Sequence, residues 1–118
     1  MFVFDESKVR FEVSAKQDWL EVRGNAVISG DDDYDKSVED EIIARLNDGD
    51  VWAWAEVIVT ARYDGINGIE GVDYLGCCTY ADEADFVTPG GYYDDMCRTA
   101  CAELRDELER IYNAVHAS

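Results

Sequence analysis

The chain of 118 residues carries 27 acidic side chains against 10 lysines and arginines, a net charge of −17, and 47% of its residues are apolar. Its length suits one domain with a substantial core, and its apolar content excludes an intrinsically disordered chain. Its charge argues against bare nucleic acid or an anionic membrane as a partner, because their phosphates repel it, and favours a basic protein surface.

The N-terminus gives no sign of export. Residues 1–6 lack the basic start of a secretory signal and turn acidic at Asp5. No apolar run approaches the ~20 residues that a membrane-spanning helix needs. The sequence therefore predicts a cytoplasmic protein, a compartment in which its four cysteines are reduced.

Strands and one helix are predicted in the first half of the chain. Residues 8–14 alternate polar and apolar side chains, as a half-buried strand does, and residues 19–22 and 26–28 are shorter strand candidates. A helix is predicted over 34–47, with Ser37 as the cap of a capping box. The apolar stripe of this helix recurs every four residues, at Tyr34, Val38, Ile42 and Leu46.

A hairpin and a long helix are predicted in the second half. Residues 51–63 alternate between a small apolar face and a face with two tryptophans, and 72–80 form the returning strand after the turn signals at 64–68. A longer loop over 64–71, with the strand starting later, is the alternative. Residues 82–86 form a turn or one short helical turn, and a long helix begins near Tyr92. The apolar face of the long helix comprises Met96, Cys97, Ala100, Cys101, Leu104, Leu108, Ile111 and Val115.

The elements thus run in the order strands, helix, hairpin, helix. Neither an internal repeat nor a linker interrupts the sequence. This order predicts a single α+β domain over residues 1–118, in which a small antiparallel sheet carries two helices packed on one face.

The residues that catalysis needs are scarce, and the sequence predicts that the protein is not an enzyme. The only histidine is His116, in the last turn of a helix that is expected to fray. A catalytic triad requires a base held in fixed geometry, which this position does not favour. A catalytic domain that uses acidic residues in a cleft remains an alternative, because carboxylate pairs become an acid and base only where burial separates their pKa values.

The four cysteines favour buried structural thiols over a metal site. Cys77 and Cys78 are neighbours in a strand and so point to opposite faces of the sheet, whereas Cys97 and Cys101 share one face of a helix. A zinc site needs convergent sulfur atoms, which the strand pair cannot supply without a bulge. The sequence therefore predicts no metal site and no cofactor, and leaves a small cysteine-based metal-binding or redox domain as the alternative.

The acidic segment 31–50 is the first candidate for partner binding. It holds nine acids against Lys36 and Arg45, a local charge of −7. Carboxylates on neighbouring helical positions lie roughly 5–6 Å apart, close enough to imitate the charges of a nucleic-acid backbone. An ordinary solvated helix face is the alternative. The candidate residues are Asp31, Asp32, Asp33, Asp35, Glu39 and Asp40, with Glu39 and Asp40 expected to face solvent.

Trp52 and Trp54 form the second candidate for partner binding. Both lie on one face of the strand predicted over 51–63. Aromatic side chains dominate the energetics of protein interfaces, so this face is a contact candidate. Burial in a two-sided core is the alternative, because tryptophan usually lies in largely buried positions.

Four segments resemble small acidic proteins that phages and mobile elements carry. The segments are RGNA (23–26), SGDD (29–32), GDVWAWA (49–55) and YLGCCTY (74–80), and the similarity spans most of residues 18–104. That group has no settled activity, so the resemblance assigns no functional residue. In size, charge and source its members are analogous to anti-CRISPR and anti-restriction proteins that mimic DNA.

Together these features predict a phage-type inhibitor of a host defence complex that handles nucleic acid. The inhibitor would be anti-CRISPR-like and would bind a basic surface by acidic charge mimicry, acting in the host cytoplasm. The expected partner is a basic nucleic-acid-binding protein or complex, such as a CRISPR effector or a restriction enzyme. Both a monomer and a homodimer are compatible with the sequence.

Overall fold

The computed structural model describes residues 2–117. Three strands form one antiparallel sheet in the order β1-β2-β3, which confirms the predicted α+β fold class. None of the helices within residues 2–117 combines the length and the apolar character needed to cross a bilayer. The elements are β1 (Val9–Gln17), α1 (Asp32–Asn47), β2 (Ala55–Tyr63), β3 (Glu70–Cys78), α2 (Glu83–Phe86) and α3 (Tyr92–His116), with short 3₁₀ turns at Glu6–Lys8 and Val51–Ala53.

The central strand β2 has the alternating burial that its sequence predicts. Ala55, Val57, Val59 and Ala61 are completely buried on one face, while the residues between them remain partly accessible. The strand is shorter than predicted, because residues 51–53 form a 3₁₀ turn. The side chain of Asp50 starts that turn by accepting the backbone N–H of Trp52 at 3.1 Å.

The connections differ from the sequence prediction in two places. Residues 19–22 and 26–28 form no strand, and lie in the long connection between β1 and α1. The strand β3 begins and ends two residues earlier than the predicted range 72–80. Within it Cys77 has a φ of 57°, a left-handed conformation that interrupts the regular pleat near the end of the strand.

The chain divides into two compact units. The α3 unit comprises residues 2–13, 58–74 and 87–117, and the α1 unit comprises residues 14–57 and 75–86. Each unit has its own helix and its own buried side chains, so each is held by a separate set of contacts.

In the α3 unit the long helix packs closely over β3. Met96, Ala100, Leu104 and Leu108 are buried at every fourth position, as the apolar periodicity predicts, whereas Val115 at the end of the stripe is 73% exposed. Gly71 permits the close approach, because a Cβ atom there would lie 1.9 Å from the carbonyl oxygen of Ala100.

In the α1 unit the helix packs on the connections around it. Its buried residue Ile42 joins Val22, Ala53 and Trp54 in one cluster, and the partly buried apolar side chains around them are Leu20, Ala26, Val38, Ile43 and Leu46. The helix begins at Asp32 with Asp31 as its cap, so the prediction of Ser37 as the cap is wrong. Ser37 lies inside the helix, where its hydroxyl donates to the carbonyl of Tyr34 at 2.7 Å.

The close approach at Gly71 predicts a large loss of stability in Gly71→Ala. The added methyl group collides with backbone rather than with a flexible side chain, so helix α3 must move and its buried face must repack. We expect the free energy of unfolding to fall by about 3 kcal/mol in urea denaturation. In the control Gly91→Ala the new Cβ lies 3.5 Å from the nearest atom, so the only loss expected is that of the N-cap glycine of α3, about 1 kcal/mol or less. Equal urea midpoints for Gly71→Ala and wild type would show that α3 does not pack closely against β3 at Gly71.

Candidate binding surface

The first acids of the predicted surface hold the start of helix α1. The carboxylate of Asp31 accepts the backbone N–H groups of Asp33 and Tyr34, both at 3.1 Å. Asp35 accepts the hydroxyl of Ser29 at 2.5 Å, which ties the preceding loop to the helix. Both carboxylates also lie where the helix dipole favours negative charge. Asp31 is exposed and Asp35 is half-buried. Because of these hydrogen bonds, both residues have a local structural role.

The outward face of α1 carries the acids that meet solvent. Asp33, Asp40 and Glu41 are exposed and point away from the buried stripe of the helix, and Asp32 is exposed in the first turn. Asp33 and Asp40 are seven residues apart, which is two turns or about 10.5 Å along the axis. Asp33 and Asp40 form the acidic face of α1, and Asp32 and Glu41, nine residues apart, lie on its opposite flanks.

Glu39 does not belong to this face, and the prediction that it faces solvent is wrong. The residue is 8% exposed. Its carboxylate accepts the backbone N–H of Gly24 at 2.7 Å and a guanidinium N–H of Arg23 at 3.2 Å. Sequence spacing placed Glu39 off the apolar stripe, but the loop before the helix folds over that side and supplies the donors. A buried carboxylate is tolerated where such donors replace water.

Arg23 reaches from this loop to two acids of the helix. Besides Glu39, it binds the carboxylate of Asp40, with an N–O distance of 2.5 Å. The hydrogen bond from Arg23 is the main cause that lowers the pKa of Asp40 below its usual value, and the bond to Asp40 in turn raises the pKa of Arg23. Asp40 is therefore charged at neutral pH, but one of the few cations of the unit already partly compensates it.

Negative charge is distributed unevenly between the two units. The α1 unit contains fifteen acids and four lysines and arginines, a net charge of −11, whereas the α3 unit contains twelve and six, a net charge of −6. Ten of the fifteen acids are exposed: Glu21, Asp31, Asp32, Asp33, Asp40, Glu41, Asp48, Asp82, Glu83 and Asp85. Most of the uncompensated charge of the protein thus lies on the surface of the α1 unit.

The two candidate tryptophans do not form an exposed contact face. Trp54 is only 2% exposed, and its indole N–H donates to the carbonyl of Leu20 at 2.7 Å. Trp52 is half-buried in an aromatic cluster, with ring centroids 5.8 Å from Phe86 and 6.4 Å from Tyr80. The prediction of Trp54 as a partner-binding residue is therefore wrong, because the ring fills the core of the α1 unit. Burial, the alternative weighed from the sequence, holds for this residue.

The cysteines are free thiols in different surroundings. Cys78 is buried and Cys77 exposed in the α1 unit, while Cys97 and Cys101 are half-buried in the α3 unit. Burial raises the pKa of each thiol above its usual value, to about 11 for Cys78. A raised pKa favours the neutral thiol, whereas redox and metal chemistry use the thiolate. Residues 2–117 contain no group of three or more His, Cys, Asp or Glu side chains that could hold a metal ion.

Sequence reasoning missed Asp18, a carboxylate buried to 6% exposure. Its two oxygens accept the backbone N–H groups of Leu20 at 2.9 Å and of Cys77 at 2.8 Å. The first bond is the turn that aspartate commonly makes two residues ahead, so the triplet Asp18-Trp19-Leu20 carried a weak signal for it. The second bond spans 59 residues, and no local pattern indicates it.

Arg45 was also missed as an organising residue. Its guanidinium donates to the carboxylate of Asp50 at 2.9 Å and to the carbonyl of Tyr80 at 2.6 Å. It therefore ties the end of α1 to the segment that follows β3, and it is not available to a partner.

Neither a scan against protein-family models nor searches of curated proteins and of solved structures gives a match to this chain.

The ion pair of Arg23 predicts how Asp40 titrates. In Arg23→Met the carboxyl loses its donor, so its pKa should rise toward the usual value for aspartate, as followed by carboxyl carbon NMR. Because the folded-state pKa of Asp40 is lowered, the pair stabilises the fold above the unfolded pKa of aspartate, and this contribution is lost as pH falls through the folded value. Arg62→Met, a substitution in the α3 unit, is the control and should leave Asp40 unchanged. An identical titration midpoint in wild type and Arg23→Met would contradict the pairing.

The thiols predict a fixed order of alkylation. With iodoacetamide at pH 8, exposed Cys77 should react well before Cys78, because Cys78 combines burial with a pKa of about 11. Peptide mass spectrometry measures the order, and labelling in urea provides the unfolded reference. Rapid labelling of Cys78 at neutral pH would reveal a reactive thiolate, and would favour the cysteine-based alternative.

Proposed function

We propose that this protein is an anti-CRISPR-like inhibitor of the kind that phages carry, directed at a defence complex that handles nucleic acid. It binds a basic protein surface through the acids of the α1 unit and prevents nucleic acid from occupying that surface. The partner is a CRISPR effector or a restriction enzyme, and the place of action is the cytoplasm of the host cell. The protein itself catalyses no reaction.

The observation that carries this proposal is the charge of the α1 unit. The unit has a net charge of −11 and is folded, so its ten exposed carboxylates are held in place. It contains only four lysines and arginines to compensate them. Fixed carboxylates need little ordering when a partner arrives, unlike the acids of a disordered tail, so more of the electrostatic attraction remains as affinity. The resemblance of segments 23–26, 29–32, 49–55 and 74–80 to acidic phage proteins points in the same direction.

The acidic face of α1 supplies a geometry suited to a cationic groove. Two of its carboxylates, Asp33 and Asp40, repeat on the outward side of a helix of sixteen residues, about 24 Å long, and Asp32 and Glu41 lie on its two flanks. A nucleic-acid groove in a protein is lined by lysine and arginine side chains spaced to meet phosphates. Carboxylates held on an exposed helix can pair with the same cations. At low ionic strength they also steer the diffusional encounter of the two proteins. Glu39 and Trp54 take no part, because the fold buries them.

The proposal is tested with a panel of purified CRISPR effector complexes and restriction endonucleases. Each is assayed for binding and cleavage of its cognate duplex with and without the protein. The expected result is inhibition of at least one of them that weakens steeply as salt rises and that excess duplex relieves, since both compete for the same cations. Inhibition that changes neither with salt concentration nor with excess duplex would contradict charge mimicry. A lack of inhibition of every member of the panel would contradict the proposed class of partner.

Two triple variants of equal charge locate the contact. Asp32→Asn, Asp33→Asn and Glu41→Gln neutralise three exposed acids of α1, and we expect inhibition to weaken by about tenfold. The matched control neutralises three exposed acids of α3, at Glu103, Asp106 and Glu109, in the same way. The control should inhibit like wild type, because the total charge is the same in both variants. Equal weakening by the two would show that only net charge matters.

A further inference from the structure

Trp19 is the most exposed aromatic side chain among residues 2–117, with 84% of its surface in water. It lies in the connection between β1 and α1, within the α1 unit. An indole ring offers a large apolar area, and leaving it in water forgoes the stabilisation that burial would give. The other two tryptophans of the chain are buried or half-buried, so exposure is particular to this one.

The residue before Trp19 is fixed on three sides. The backbone N–H of Asp18 donates to the carbonyl of Trp54 at 2.9 Å. Its carboxylate accepts the N–H groups of Leu20 at 2.9 Å and Cys77 at 2.8 Å. Gly76 gives this carboxylate its room, because a Cβ atom at that position would lie 3.0 Å from the Oδ2 atom of Asp18.

The residue after Trp19 is fixed as well. The carbonyl of Leu20 accepts the indole N–H of Trp54 at 2.7 Å, and the ring of Trp54 is itself buried. The backbone on both sides of Trp19 is therefore held by buried groups, while its own side chain projects into solvent.

We propose that Trp19 is the anchor by which the α1 unit contacts arginine side chains of its cationic partner. Tryptophan and arginine are the residue types most often found at the energetic centres of interfaces, and rigid presentation lowers the entropy lost on binding. A guanidinium group packs on the face of an indole, and tryptophan is the best aromatic acceptor for that contact. This inference rests on the proposed function, since it names the group on the partner that the acidic unit recognises.

Charge complementarity decides the kind of partner. The ring is displayed by a unit of net charge −11, and Glu21 lies exposed two residues along the same loop. An apolar partner without cations would bring its surface against these carboxylates and would strip their hydration without compensation. An arginine-rich surface satisfies the ring and the acids together.

A labelled nona-arginine peptide is the probe, because it presents the proposed group without any other contact. Fluorescence anisotropy at low salt measures its affinity for wild type, Trp19→Ala, Trp19→Phe and Tyr92→Ala. The last is the control, because Tyr92 is 60% exposed in the α3 unit. We expect Trp19→Ala to bind about 3- to 30-fold more weakly, Trp19→Phe to lie between it and wild type, and Tyr92→Ala to bind as wild type does. Tryptophan emission of wild type should also shift to shorter wavelength on binding.

The other outcomes separate the two proposals. Salt-sensitive binding that is equal for wild type and Trp19→Ala would overturn the role of Trp19 and leave the acidic surface standing. Absence of binding by every variant at low salt would overturn both. A blue shift on raising the protein concentration without peptide would show that a second copy covers the ring, which also overturns the inference. Trp19→Phe keeps the test valid should Trp19→Ala fold poorly, and circular dichroism checks both variants.

Discussion

Repulsion among 27 carboxylates opposes the folding of this chain, and the structure has to offset it. The fold meets it by giving individual acids specific donors. Asp18 and Glu39 are buried against backbone N–H groups, and Arg62 stands between Glu12 and Glu70. Most of the remaining negative charge lies in the α1 unit, which has a net charge of −11 out of the total of −17. Net charge of this kind opposes compaction, and it attracts cations to the surface that carries it.

Periodic burial made the fold largely predictable. The alternation from Ala55 to Ala61 and the four-residue repeat from Met96 to Leu108 both correspond to faces that the structure buries. Boundaries were less accurate, because polar side chains set them. Asp31 caps α1 six residues before Ser37, the cap that the sequence predicted. Asp50 starts a 3₁₀ turn at residues 51–53, which shortens the strand. Several acids in a row offer several plausible caps, and the sequence does not rank them.

The sequence located exposed acids on α1, but it misjudged the exposure of two other candidate residues. The exposed acids of α1 lie where the charge run placed them, since helical spacing is a local property. Glu39 and Trp54 were assigned to the surface, and both are buried by the loop at residues 20–24, far from them in sequence. Trp19 was missed for the converse reason. It is exposed although Asp18 beside it is held by a bond to Cys77, and a contact across 59 residues leaves no trace in a local pattern.

Charge mimicry by the α1 unit requires its surface to be more negative than that of the α3 unit. Paramagnetic relaxation of amide protons by a cationic and an anionic nitroxide of the same size measures the local potential residue by residue, without any partner. We expect the cationic probe to be enriched over the anionic one most strongly at residues 31–41, and less along the exposed side of α3. Equal enrichment over both helices, or a stronger effect on α3, would contradict it.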